Sequence, residues 1–142
     1  MGGRGSFISE GGLTKYRYKV VGHVNGVKVL EPKDKSESHT LPERAHSPYS
    51  SYMCYYKKKH KEDAEVFKGY IIFDKDRMPI YRIDYGIHRG PKSLHVHYYK
   101  NGDTYGDPEY LHPGDELYKK QKKLFKTVST QLIKQILTKP MN

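Results

Sequence analysis

The sequence predicts an α+β domain: a twisted antiparallel sheet of four to six strands, one amphipathic C-terminal helix packed on it, and a flexible N-terminal arm. Three observations indicate this fold class. Apolar and polar residues alternate around an Asn-Gly pair, alternation returns in the middle of the chain, and apolar residues recur at helical spacing near the C-terminus. The 142 residues fit one domain, which we place at residues 15–142.

The arm is residues 1–14. Its opening, MGGRGSFISEGG, contains five glycines and few side chains to bury. Such a composition is typical of a segment that stays flexible or becomes ordered on a partner. Arg4 within it is a candidate phosphate contact.

The first two strands form a hairpin within KYRYKVVGHVNGVKVLEP, residues 15–32. Asn-Gly between β-branched runs is the strongest short hairpin signal, and it occurs here at residues 25–26. The basic side chains on this hairpin are candidate RNA contacts: Lys15, Arg17 and Lys19.

The middle of the chain predicts an antiparallel meander. Residues 31–65 are polar and poorly periodic, so we expect a long loop there with one short strand at about residues 52–57. Alternation then predicts strands at about residues 68–74 and 79–85, and a third at about 94–100.

The last element is the helix, which we expect to begin near Asp115. Its apolar side chains recur at helical spacing and should pack on one face of the sheet, and they are Leu117, Leu124, Phe125, Val128, Leu132, Ile136 and Leu137. Acidic residues in the first turn favour the helix dipole. Lysines on the opposite side are candidate RNA contacts, among them Lys119, Lys120 and Lys123.

Composition indicates a nucleic-acid partner. The chain has 26 Lys and Arg against 16 Asp and Glu, a formal charge of +10 and a sequence pI near 9.5. It also has 14 Tyr and no Trp, which suits base stacking but is equally typical of a Tyr-rich sheet. We therefore expect RNA as the partner, with a solvated lysine surface as the alternative.

Cysteine content and hydropathy indicate where in the cell the protein is located. The single Cys54 excludes an internal disulfide and is compatible with a reducing cytoplasm. No apolar run approaches the roughly 20 residues that a membrane span needs, and the N-terminus lacks the apolar core of a secretory signal. The sequence thus predicts a cytoplasmic protein without a membrane partner.

The stretch YRIDYGIHRGPKSLHVHYY, residues 81–99, concentrates the titratable side chains. Successive side chains in a strand point to opposite faces, so Arg82 and Asp84 share one face of their strand, and His95 and His97 share one face of theirs. If the two strands are neighbours with their apolar faces toward the helix, all four groups converge on the open face.

Such a face can cleave RNA without a metal. The reaction needs a base for the 2′-hydroxyl, an acid for the leaving oxygen and a cation for the phosphorane. His95 and His97 are the candidates for acid and base, and Asp84 for orienting one imidazole. The candidates for holding the phosphate are Arg82, Arg89 and Lys92.

Two other interpretations of these residues remain open. Three His and one Asp can bind zinc, with His112 as a further ligand, although we expect no cofactor. The second alternative is a polar, solvated face of a half-exposed sheet, where the histidines have no chemical role.

Two segments resemble known families. MGGRGSFIS is similar to the Gly-Gly-Arg-Gly-Ser opening of short proteins of phages and other mobile elements, a group associated with anti-CRISPR inhibitors of type II effectors. YRIDYGIHRG with LHVHYY resembles the Arg-x-Asp and His-x-His pattern of nuclease domains in bacterial polymorphic toxins. The residues that carry the resemblances are Arg4 in the opening and, in the nuclease-like stretch, Arg82, Asp84, His88, His95 and His97.

Together the resemblances imply a basic mobile-element protein that binds structured RNA. The implied target is the guide RNA, or the guide-RNA complex, of a type II CRISPR effector, engaged through a ribonuclease-like histidine face. The alternatives are a toxin-type, metal-independent endoribonuclease and a purely steric inhibitor that binds the effector protein.

Overall fold

The computed structural model describes residues 6–8, 17–33, 41–87, 90–125 and 128. These residues confirm the predicted α+β class, because a mostly antiparallel sheet carries one short C-terminal helix. Nine strands are present in this part of the chain instead of the four to six expected. The difference lies in three strands of two or three residues, which are too short to leave an alternation in the sequence.

The strands follow one another in space almost as they do in the chain. Their order is β1 to β8, with β9 also paired to β7. All pairs are antiparallel except β3 with β4. The bounds are β1 Ser6–Ile8, β2 Arg17–Val24, β3 Val27–Pro32, β4 Ser51–Tyr55, β5 Phe67–Phe73, β6 Pro79–Ile87, β7 Lys92–Lys100, β8 Asp103–Thr104 and β9 Glu109–Tyr110.

The predicted Asn-Gly hairpin is confirmed as β2 and β3. Asn25 and Gly26 have φ values of 50° and 80°, the left-handed conformations that a type I′ turn needs. Val24 and Val27 pair directly on either side of this turn. Strand β1, which pairs with β2, lies within the segment that we expected to be a flexible arm.

The polar segment before β5 contains a central strand. Strand β4 confirms the short strand expected near residues 52–57, and it lies between β3 and β5. Its three middle residues, Tyr52, Met53 and Cys54, are all buried. Both faces of the sheet are therefore covered at β4, which explains why the strand shows no clear alternation of apolar and polar residues.

The expected pairing of β6 with β7 is confirmed, and it fixes the histidine face. Asp84 lies opposite His95, and Arg82 lies opposite His97. Ile83 lies opposite Val96 on the other face of the sheet. Because directly opposed residues share a face, the four titratable groups project from the same side.

Two apolar clusters lie on the two faces of the sheet. The larger one packs under the C-terminal helix, as expected, and includes Met53, Ile83, Val96, Leu124, Phe125 and Val128. The smaller one lies on the histidine face and consists of Tyr18, Leu30, Ala45, Tyr52, Ile71 and Phe73. The segment at residues 41–50 covers part of this second face, and the backbone N–H of His46 donates to the Tyr52 hydroxyl at 3.0 Å.

The C-terminal helix α1 spans Glu116–Gln121 and continues as a 3-10 turn at Lys122–Leu124. Asp115 precedes it, and Glu116 lies in its first turn, as the dipole favours. The predicted core positions Leu132, Ile136 and Leu137 lie outside the described residues. Among the residues that are described, no helix has the length and apolar character required to cross a membrane.

Candidate functional site

A pocket of about 480 Å³ lies on the sheet face that α1 does not cover. Its floor belongs to the central strands, and three of the predicted site residues line it: Arg82, Asp84 and His95. Leu41, Pro42 and Glu43 line it from the segment that precedes β4. The predicted open face is therefore a recess between the sheet and this segment.

Pairing across four strands aligns a row of residues along the pocket floor. Cys54 of β4 lies opposite Gly69 of β5, Gly69 opposite Asp84, and Asp84 opposite His95. A Cβ atom on Gly69 would lie 3.4 Å from Oδ1 of Asp84 and 3.2 Å from Cδ1 of Leu41. The first distance is an ordinary contact and the second is tight, so the glycine leaves room mainly for the Leu41 side chain above the row.

Asp84 is the centre of the polar contacts. Nε of Arg82 donates to both of its oxygens, Oδ1 and Oδ2, at 3.0 Å each. Nε2 of His97 lies 3.1 Å from Oδ2 of the same carboxylate. One carboxylate therefore orients both a guanidinium and an imidazole.

The pKa of the Asp84 carboxyl reflects these neighbours. Burial by itself would raise the pKa, but the hydrogen bond with His97 and the positive charge of Arg82 lower it by more. The net result is a pKa below the ordinary value of 3.8, so Asp84 is ionised at neutral pH. An ionised carboxylate is the form that stabilises an imidazolium beside it.

Two further contacts extend the cluster. Nη1 of Arg82 donates to the hydroxyl of Tyr99 at 2.9 Å. The rings of His95 and His97 meet edge to face, with centroids 5.3 Å apart. His95 is only 5% exposed, so the interpretation of the histidines as a fully solvated sheet face is wrong for this residue.

The same cluster could hold a metal ion. Asp84, His95 and His97 each offer one ligand atom, and these atoms lie within 4.8 Å of one another. Imidazole and carboxylate are ligands that zinc accepts. His112 is not in this group: it is exposed in the turn before α1, with its Nδ1 3.8 Å from Oδ2 of Asp115.

The other predicted RNA contacts do not join the Asp84 cluster and lie at separate places in the structure. Nζ of Lys92 lies 3.9 Å from the centre of the Tyr56 ring, which lines the pocket. Lys19 pairs with Glu31 at 3.6 Å. Arg17 lies in β2.

The helix lysines do not join the pocket. Lys119 and Lys120 belong to α1, and Lys123 belongs to the turn after it, on the opposite side of the sheet. Nζ of Lys119 also lies 3.9 Å from Oε1 of Glu116. Four predicted site residues lie outside the described part of the chain: Arg4, Lys15, His88 and Arg89.

Sequence reasoning missed several residues of the pocket. Tyr99 follows His95 and His97 in the same alternation, so its face was predictable although its contact with Arg82 was not. Gly69 and Cys54 join the row only through strand pairing. Lys68 and Tyr56 also line the pocket, and nothing in their local sequence separates them from other Lys and Tyr residues.

Comparison with known proteins finds no relative of this chain. The chain matches no protein-family model, no curated protein and no solved structure. The site must therefore be interpreted from its own geometry.

Proposed function

We propose that this protein is a metal-independent endoribonuclease that binds structured RNA in the pocket. One observation carries the proposal: the carboxylate of Asp84 contacts both Arg82 and His97, His95 packs against His97, and Arg82, Asp84 and His95 line one recess. An acid, a base, an orienting carboxylate and a cation are the groups that this chemistry needs.

Each group has an assigned role. His97 takes the proton of the 2′-hydroxyl, because Asp84 stabilises the imidazolium that forms. The 2′-oxygen then bonds to phosphorus, the bond to the 5′-oxygen breaks, and His95 gives that leaving oxygen a proton. The products are a 2′,3′-cyclic phosphate and a free 5′-hydroxyl, and Arg82 stabilises the charge of the phosphorane between them.

The contacts of Arg82 favour acid-base chemistry over a metal site. Its Nε lies 3.0 Å from both oxygens of Asp84, so both oxygens already accept hydrogen bonds from a guanidinium. A divalent ion on the same oxygens would lie beside that guanidinium and be repelled by it. Zinc binding by Asp84, His95 and His97 is accordingly the second candidate.

RNA is the substrate that fits both the charge and the chemistry. The formal charge of +10 attracts a phosphate backbone, and the proposed reaction requires a 2′-hydroxyl. The resemblance of the opening to mobile-element proteins adds a specific target, the guide RNA of a type II CRISPR effector in a bacterial cytoplasm. Inhibition of that effector is the biological role that we propose for the cleavage.

The decisive experiment incubates purified protein with labelled structured RNAs in the presence of a chelator. The RNAs include a CRISPR guide, alone and in its effector complex. Wild type should cleave and leave 2′,3′-cyclic ends, whereas the variant His95→Ala/His97→Ala should lose at least about a hundredfold in rate. The matched control His60→Ala/His112→Ala removes two histidines that do not belong to the cluster of Asp84, His95 and His97, and it should cleave normally.

Other outcomes identify the alternatives. If the protein binds RNA or the effector without cleavage, and His95→Ala/His97→Ala binds equally well, the protein is a steric inhibitor and the proposal is wrong. Cleavage that the chelator abolishes and zinc restores would replace it with a metal site. Calorimetric titration with zinc chloride should then show binding by wild type and none by His95→Ala/His97→Ala.

A further inference from the structure

Lys68 lines the pocket because a β-bulge in β5 interrupts the alternation of the strand. Cys54 of β4 pairs with Gly69, but the next residue, Tyr55, pairs with Phe67, so Lys68 is an extra residue without a direct opposite on β4. Phe67 packs in the cluster under α1, whereas Lys68 and Gly69 both line the pocket. Bulges re-aim single side chains in this way and are common beside active sites.

The bulge places Lys68 beside the row of residues on the pocket floor. Gly69, the next residue, pairs with Asp84, and Oδ1 of Asp84 lies 3.4 Å from the position that a Cβ atom on Gly69 would take. Burial raises the pKa of the Cys54 thiol at one end of this row, and the positive charge of Lys68 opposes that rise. A charge has such an effect only on a group near it, so the ammonium group lies close to the row.

An aromatic ring holds the ammonium group of Lys68 at the pocket wall. Its Nζ lies 5.5 Å from the centre of the ring of Tyr56, which also lines the pocket. The Tyr56 hydroxyl donates to the backbone carbonyl of Tyr85, which fixes the ring against the sheet. A cation-π contact of this kind orients the ammonium group without supplying a hydrogen-bond acceptor for its three N–H donors.

The charge of Lys68 differs in its surroundings from that of Arg82. Arg82 donates to both oxygens of Asp84 and to the Tyr99 hydroxyl, so its charge is already paired with a carboxylate. No carboxylate oxygen of a described residue lies within 4.0 Å of Nζ of Lys68. The other carboxylate that lines the pocket, Glu43, is exposed on the covering segment. An anion that enters the pocket therefore meets Lys68 as a cation that does not have to leave an ion pair.

We propose that Lys68 binds the RNA phosphate that enters this pocket and is a catalytic residue of the site. The inference rests on the proposed function and adds a second cation to it. Arg82 then orients Asp84 as well as facing the phosphate, and Lys68 supplies donors that are not shared with a carboxylate. Charge-assisted hydrogen bonds from an ammonium group to phosphate oxygens are the contacts that this role needs.

The first test measures cleavage by Lys68→Gln, which removes the charge and keeps much of the side-chain length. Its kcat/KM on labelled structured RNA should fall by roughly 10- to 100-fold, because charge-assisted contacts are lost. Lys68→Arg keeps the positive charge and should retain most of the rate. The matched control Lys75→Gln removes the same charge from an exposed lysine after the other end of β5, and it should cleave as wild type does.

Two results of this test would overturn the proposal. A rate of Lys68→Gln equal to that of Lys75→Gln would show that the charge of Lys68 does not act on the substrate. An equal loss in Lys68→Arg and Lys68→Gln would show that the shape of this side chain matters and its charge does not.

A binding assay needs no cleavage and separates failure of this proposal from failure of the ribonuclease. Fluorescence polarisation measures the affinity for a single-stranded 2′-O-methyl oligonucleotide at several salt concentrations. Losing one phosphate contact should make the slope of log affinity against log salt concentration shallower by roughly 0.7 in Lys68→Gln, and Lys75→Gln should keep the wild-type slope. With that result Lys68 binds phosphate even where wild type cleaves nothing. Equal slopes for the two variants would refute the role of Lys68.

Discussion

Arg82 and Asp84 bind each other along a single strand: Nε of Arg82 lies 3.0 Å from both carboxylate oxygens. Residues two apart in a strand share a face, so neither side chain has to cross the backbone to make this contact. The pair needs no residue of a partner strand, and β7 adds His97 to the same carboxylate at 3.1 Å. The cluster is therefore preorganised by the sheet itself.

Replacing Arg82 with Lys should lower the cleavage rate by at least about tenfold. Arg82 reaches both Asp84 oxygens from Nε and the Tyr99 hydroxyl from Nη1, and one ammonium cannot reproduce this planar set of donors. Single-turnover cleavage of labelled RNA measures the effect. Tyr99→Phe removes only one of these contacts and should lower the cleavage rate by less than Arg82→Lys does. A rate of Arg82→Lys equal to that of wild type would contradict this account of the cluster.

Stability should depend on pH through Asp84. Its pKa is lowered in the folded state, so its stabilising contribution is complete above the ordinary value of 3.8 and disappears as the pH falls through the lowered pKa. Urea unfolding of wild type and Asp84→Asn at several pH values measures the difference in free energy of unfolding. We expect that difference to shrink as the pH falls below 3.8. A constant difference would mean that ionisation of Asp84 does not stabilise the fold.

Cys54 should react very slowly in the folded protein. Burial raises the pKa of its thiol from the ordinary 9.0 to about 12, which leaves about a thousandfold less thiolate at a given pH below both values. Labelling with a chromogenic disulfide in buffer, and again in denaturant, measures the ratio of rates. Fast labelling without denaturant would show that the floor of the pocket opens readily.

Phe125→Ala should destabilise the protein by about 3–5 kcal/mol, the range for a buried Phe. Phe125 is 1% exposed and packs edge to face on Phe67, with ring centroids 5.0 Å apart. Denaturant unfolding measures the loss, and Ile87→Ala, at a residue that is 80% exposed, is the control with little expected effect. Because Phe125 lies on the other side of the sheet from the pocket, the folded fraction of the variant should retain its cleavage rate.

Local patterns were sufficient to predict most of the fold. Asn25 and Gly26 determined one hairpin, and strict alternation determined β6 and β7 together with the face that each side chain takes. The parallel pairing of β3 with β4 was not predictable, because it joins segments separated by a long connection. The two-residue strands β8 and β9 are likewise defined only by their partner β7.

The residues of the site also divide into those that the sequence predicted and those that it did not. Arg82, Asp84, His95 and His97 were predictable as one group, because the period of two and one strand pairing place them together. Lys68 was not, since its orientation depends on a bulge, and a bulge exists only relative to the neighbouring strand. Tyr56 was not predictable either, because it lines the pocket from a position just after the end of β4.

The hairpin of β6 and β7 supplies core on one face and the reactive groups on the other. A single-residue insertion or deletion inside either strand would exchange the two faces beyond it, sending Ile83 or Val96 into the pocket and a charged group into the core. Natural variants of this chain are therefore expected to differ in length at the tip of the hairpin, or by two residues at a time. Mutations in these two strands are therefore selected both for their effect on folding and for their effect on the reactive groups.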